Sequence, residues 1–165
     1  MNRFPRNFIN IAILATVAAL ALKATAGDAG PVAYPADYRA WTHVKSMLIQ
    51  DDHPLADPFA GIHHIYANAE AMEGYLGGNF PEGAVIVFDL LEYAAADGAI
   101  TEGARKLVGV MQRDSGRFAA TGGWGFEGFA GDSRTERLVT DDGAGCFGCH
   151  LAQRESEYVF SAWRE

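Results

Sequence analysis

Beyond residue 40 the chain is built from short runs in which apolar side chains recur, separated by clusters of glycine, proline and acidic residues. Residues 42–49, "THVKSMLI", combine β-branched and apolar side chains and predict a strand. Residues 62–67, "IHHIYA", predict a second; within it His63 and His64 are adjacent and must point to opposite faces. "GAVIVFDLLEY" (83–93) carries the strongest strand pattern in the sequence, and "RKLVGVMQR" (105–113) is its expected neighbour. In "GGWGFEGFAG" (122–131) glycine alternates with large residues, so period two puts Trp124, Phe126 and Gly128 on one face.

Helical signals are few and short. "ADYRAW" after Pro35 predicts a brief helix. Asn68 is a good N-cap for "AEAMEGYL", which Gly77 and Gly78 stop. "DDHPLADPFAG" is expected as a loop, and a terminal helix is expected from Cys146 through "LAQRESEY". The sum is an α+β fold: an antiparallel sheet of about five strands, with a few short helices packed at one end. A four-helix bundle is excluded.

The first 26 residues stand apart from this pattern. Arg3 and Arg6 precede the apolar run "FINIAILATVAALAL", and Ala24-Thr25-Ala26 makes a small-residue cleavage signature. That order predicts a secretory signal peptide over 1–26 and a periplasmic location. The run ends at Lys23, short of the roughly 20 apolar residues that a membrane span needs. Residues 27–165 then form a single domain, with no repeat or linker dividing them. Three of the 13 basic residues lie in the signal and none of the 21 acidic ones does. The remainder therefore has ten basic against 21 acidic residues, a net charge of −11. So acidic a chain is unsuited to nucleic acid or to an anionic membrane surface.

The two cysteines change the picture most. Cys146 and Cys149 are three apart and His150 follows, the pattern of covalent attachment of haem c. A zinc site would need two further ligands at their own spacing, and a thioredoxin-like pair belongs early in a βαβ unit. One haem c per chain is expected, held by Cys146 and Cys149. His150 would be the axial iron ligand, its second ring nitrogen oriented by an acceptor not identified in the sequence. No methionine follows Cys149. Upstream stand Met47, Met72 and Met111, all with an ordinary core explanation, and His43, His53, His63 and His64. A vacant or weakly held sixth position is the expectation. Arg154, four residues after His150, would lie on the same helix face and reach the proximal side of haem, or else pair with Glu155 or Glu157.

Several segments together resemble the cytochrome P-460 and cytochrome c′-beta family. They are "YPADYRAW", "PFAGIHHIYAN", "FPEGAVIVFDLLE", "SGRFAATGGWGFEGF" and "CFGCHLAQRESEYVFS", in that order and spanning most of residues 27–165. The resemblance implies an antiparallel sheet with helices, a homodimer and five-coordinate haem c. Cytochrome P-460 has a lysine in the "GAVIVFDL" strand that cross-links to haem, and it oxidises hydroxylamine or nitric oxide. Phe88 stands at that position here. The c′-beta branch has phenylalanine there, and a second one matching Phe59, so the resemblance puts Phe59 and Phe88 over the open side of the iron. Two aromatic faces exclude water and offer no hydrogen-bond donor, an environment suited to nitric oxide or carbon monoxide. The expected function is binding of such gases for scavenging, storage or sensing. A P-460-like oxidoreductase and an electron-transfer cytochrome, with its own redox partner, are the alternatives.

Overall fold

A computed structural model of the protein describes Met1 and residues 31–164. Apart from Met1, the expected signal peptide over 1–26 lies outside the described residues. No helix among the described residues is long and apolar enough to cross a membrane.

Five strands form one antiparallel meander in the order β1-β2-β3-β4-β5: β1 (Thr42–Ile49), β2 (Gly61–Ala67), β3 (Val85–Ala96), β4 (Ala99–Arg113) and β5 (Trp124–Ala130). Among the described residues three short α-helices punctuate them: α1 (Ala56–Phe59), α2 (Ala69–Gly77) and α3 (Ala144–His150). The α+β class and the five strands agree with the sequence pattern. The Asn68 cap also holds: its side chain accepts from the backbone N–H of Ala71, and Gly78 closes α2 in the left-handed conformation.

Three local departures have physical reasons. The β3–β4 hairpin runs beyond the strands read at 83–93 and 105–113, because Asp97 and Gly98 both take left-handed angles (φ 54° and 74°). A two-residue turn of that kind matches strand twist and lets pairing continue to Ala96 and Ala99. The loop "DDHPLADPFAG" contains a single helical turn, α1. The terminal helix is α-helical only to His150, continues as 3-10 turns over Leu151–Ser156 and stops before Tyr158.

Helices α2 and α3 pack against one face of the sheet, and period-two alternation leaves apolar side chains on both faces. On the first face Ile65, Ala67, Ile86, Trp124 and Phe126 pack with Ala71 of α2, Phe80 and Val159, and Phe88, Met111, Cys146 and Phe147 adjoin them. On the second face Val87, Val108, Val110 and Phe129 are covered by Val32, Tyr38 and Phe118. The glycine at 125 serves this second layer: a Cβ there would sit 2.4 Å from the Phe118 ring and 2.7 Å from Val32. Asp89, fully buried on the same face, accepts hydrogen bonds from Tyr38 (2.9 Å), Arg39 (3.1 Å) and Arg105 (2.7 Å). These bonds compensate its desolvation and pin the N-terminal cover to β3 and β4.

Candidate functional site

The Cys-x-x-Cys-His segment forms α3, entered through Gly143 in a left-handed conformation (φ 82°). The Asp141 carboxylate accepts from the backbone N–H groups of Gly143 (3.2 Å) and Gly145 (2.8 Å), satisfying donors at the start of the helix. Cys146 is half-buried against the first-face core and Cys149 is exposed; both are free thiols. Burial pushes the Cys146 thiol up, with smaller contributions from Asp141 and Cys149.

His150 closes α3. Its Nδ1–H donates to the carbonyl oxygen of Tyr158 at 2.6 Å. With a carbonyl as acceptor, Nδ1 must carry the proton, which leaves Nε2 as a lone-pair donor. The ring lies 5.0 Å from Phe126, and the Phe160 ring sits at 4.9 Å in an edge-on arrangement. Burial lowers the imidazole pKa, and the Tyr158 carbonyl partly opposes this. The neutral, oriented imidazole is the form that binds a metal.

The Tyr158 carbonyl reaches His150 because the chain reverses there. Glu157 and Tyr158 take φ of 53° and 66°, a conformation that costs non-glycine residues roughly 1–2 kcal/mol each. Several contacts hold it: Tyr158 N–H to the Gln153 carbonyl at 2.7 Å, the Tyr158 ring 5.2 Å from Phe147, and Glu157 paired with Arg113 at 3.8 Å. This is why the helix expected through Tyr158 ends early. The acceptor for His150 was anticipated as a need, but a backbone carbonyl has no signature in the sequence.

Arg154 lies in the 3-10 segment, past a kink at Gln153 (φ −107°, ψ 25°), so it is not one regular α-turn from His150. It is exposed, and among the described residues its guanidinium has no hydrogen bond or ion pair. Glu157, one of its two alternative partners, pairs with Arg113 instead.

Phe59 and Phe88, 29 positions apart, meet edge to face at 5.8 Å and 83°. Phe88 projects from β3 on the first face of the sheet, over Gly109 of β4, where a Cβ would come within 3.4 Å of it. Phe59 is the last residue of α1, and Lys106 of β4 holds its loop. The Lys106 ammonium donates to the carbonyls of Pro58 (3.1 Å) and Ala60 (2.6 Å), on either side of Phe59. The sequence reading missed Lys106; the cation inside the apolar run "RKLVGV" was the available signal.

The two adjacent histidines do point to opposite faces. His64 lies on the second face, where its Nε2–H donates to Glu102 (2.6 Å) and its Nδ1 accepts from the Ser46 hydroxyl (2.6 Å). Ser46 accepts in turn from His43 Nε2–H at 2.9 Å. His63 lies on the first face, buried, with its ring 4.5 Å from Phe88. Burial pulls its pKa down to about 4, helped by His64 and Lys45. Met72 and Met111 pack against the first-face core and Met47 is exposed. Among the described residues no cluster of three or more His, Cys, Asp or Glu forms a metal site.

One side of the sheet thus combines two free thiols, an imidazole with an uncommitted Nε2, and an almost wholly apolar, aromatic surround. That set fits a flat apolar macrocycle with an axial nitrogen ligand. A model of the cytochrome P460 family matches residues 35–161, nearly the whole of the described chain. The chain belongs to the cytochrome P460 family. No curated protein matches it well enough to count as a relative. As a cytochrome P460 family member it is a haem cytochrome. Haem supplies an iron that takes axial ligands and changes oxidation state. The chain's own residues orient the His150 imidazole and leave its Nε2 uncommitted, flank it with the Phe126 and Phe160 rings, and bring Phe59 and Phe88 together on the same side of the sheet.

Proposed function

We propose that this cytochrome P460 family member is a five-coordinate c-type cytochrome of the c′-beta branch that binds nitric oxide or carbon monoxide behind Phe59 and Phe88. The observation that carries the reading is the edge-to-face contact of these two rings at 5.8 Å, on the sheet face shared by Cys146 and by Phe126, which touches the His150 ring. Phe88 occupies the strand position at which cytochrome P-460 has its cross-linking lysine, and a phenylalanine has no amine to form that bond. Desolvation favours a small, nearly apolar diatomic at such a surface over a charged ligand.

Cys146 and Cys149 would hold the haem through thioethers, one haem per chain, with His150 as proximal ligand. Arg154 would stand near the proximal face, free to meet a propionate or a ligand. Export to the periplasm, a homodimeric state and a role in scavenging, storage or sensing of nitric oxide belong to the same proposal. Visible spectra of the ferrous protein with and without carbon monoxide test it. A broad high-spin spectrum that carbon monoxide converts rapidly is the expected result. Sharp low-spin α and β bands that do not respond to carbon monoxide would overturn it.

A further inference from the structure

Three histidines lie close to the sheet's functional region, and in two of them at least one ring nitrogen is bonded to the protein. His150 donates to Tyr158, and His64 bonds through both nitrogens to Ser46 and Glu102. His63 differs. It is only 4 % exposed, and Nδ1 is enclosed without any hydrogen-bond partner. Among the described residues, Nε2 has no hydrogen-bond partner either. A buried polar atom left unpaired is destabilising, which a leucine or phenylalanine at the same place would avoid. The ring is not in a generic core position. It lies 4.5 Å from Phe88 at an interplanar angle of 36°, while Phe59 meets Phe88 edge-on. Phe88 is therefore in contact with two rings, and the only polar one is unpartnered.

A neutral imidazole always presents one N–H donor and one lone pair. We propose that His63 is the specificity-determining residue of the ligand pocket: beside the Phe59–Phe88 pair, it donates a hydrogen bond to the outer atom of a bound diatomic. This rests on the gas-binding reading above and refines it. Two phenylalanines alone discriminate by size and polarity. A single neutral donor among them favours those diatomics whose outer atom gathers negative charge on binding, dioxygen or nitric oxide, over carbon monoxide. The low-dielectric surround strengthens that one bond. His63 acts here by hydrogen bonding alone; the iron's protein ligand remains His150.

The test uses the haem-loaded protein and the variants His63→Leu and His63→Gln, with haem content confirmed for each. The readouts are the C–O stretching frequency of the ferrous carbonyl and the ratio of dioxygen to carbon monoxide affinity. The expected result is a higher C–O frequency in His63→Leu and a ratio lowered about tenfold, the worth of one hydrogen bond. His63→Gln, which keeps an N–H donor, should return both toward wild type, and a merely structural role would not produce that rescue. Frequency and ratio unchanged in His63→Leu, or shifted as far in His63→Gln as in His63→Leu, overturn the proposal. So does a wild-type protein that is low-spin and becomes high-spin in His63→Leu, since His63 would then be an iron ligand. If the wild type does not bind carbon monoxide at all, the gas-binding reading itself fails. Carbon monoxide binding that is indifferent to residue 63 removes only the role of His63.

Discussion

The carbonyl oxygen of Tyr158 lies 2.6 Å from Nδ1 of His150, across a reversal in which Glu157 and Tyr158 are both left-handed. A backbone acceptor fixes the imidazole tautomer without adding a charge beside it, so the His150 ring is oriented and stays neutral. The strained reversal is held by contacts from distant parts of the chain, the Tyr158 ring on Phe147 and Arg113 on Glu157 among them. The orientation of His150 therefore depends on residues well outside α3.

Gly122 is one of them. It has φ +66°, and an added Cβ would fall 2.8 Å from the Tyr158 ring. Gly122→Ala should lower stability by about 1–3 kcal/mol through backbone strain and overpacking. By shifting Tyr158 it should also weaken the His150 hydrogen bond and lower the iron–histidine stretching frequency of the ferrous protein. Denaturant unfolding reads the first effect and resonance Raman the second. A stable variant with an unmoved frequency would show that Tyr158 does not govern His150.

Lys106 brackets Phe59 through the carbonyls of Pro58 and Ala60. Lys106→Met keeps much of the apolar stem and removes both bonds, at a cost of about 1–3 kcal/mol. With the α1 loop released, carbon monoxide should leave the pocket faster. The dissociation rate after rapid mixing checks this, and a wild-type rate would separate Lys106 from the pocket.

Phe88→Lys puts an amine at the strand position that the resemblance matches to the cross-linking lysine of cytochrome P-460. If Phe88 faces the haem edge, the Soret band should shift, and denatured protein should show a haem adduct beyond the thioethers proposed for Cys146 and Cys149. A Soret band and gas affinity identical to wild type would mean that residue 88 points elsewhere.

His63 also predicts a pH dependence of stability. Its folded pKa is about 4, from burial and the nearby His64 and Lys45, whereas an unfolded histidine titrates near 6.5. Above about pH 6.5 both states are neutral at this site and it contributes no slope. As pH falls from 6.5 toward 4 the unfolded chain takes up a proton that the folded protein refuses, so stability is lost. Below pH 4 both states are protonated and the loss levels off at roughly 3 kcal/mol. Unfolding free energies at pH 7 and pH 4.5 should therefore differ less in His63→Leu than in wild type. Equal differences would place the His63 pKa near its ordinary value.

Much of the sheet was legible because its signals are local. Period-two runs mark β1, β2 and β5, and Asn68 with Gly77 and Gly78 marks the bounds of α2. The Asp97-Gly98 turn was equally local, and reading it as a hairpin signal would have extended β3 and β4 correctly. The distribution of helices was harder. Whether a short helix lies over a face or at an end depends on which apolar faces remain uncovered after the strands pair, and short-range periodicity does not carry that.

By itself, then, the sequence determined the strand-forming runs, the Cys146–Cys149–His150 spacing and the opposite orientation of His63 and His64. Each follows from backbone geometry within a few residues. Only the tertiary structure decided that His63 faces Phe88 while His64 takes Ser46 and Glu102, that Lys106 brackets Phe59, and that Tyr158 turns its carbonyl to His150. The physical reason is common to most of them. Strand register and packing join groups far apart in the chain, and a backbone carbonyl, which every residue carries, becomes specific only when the fold aims it.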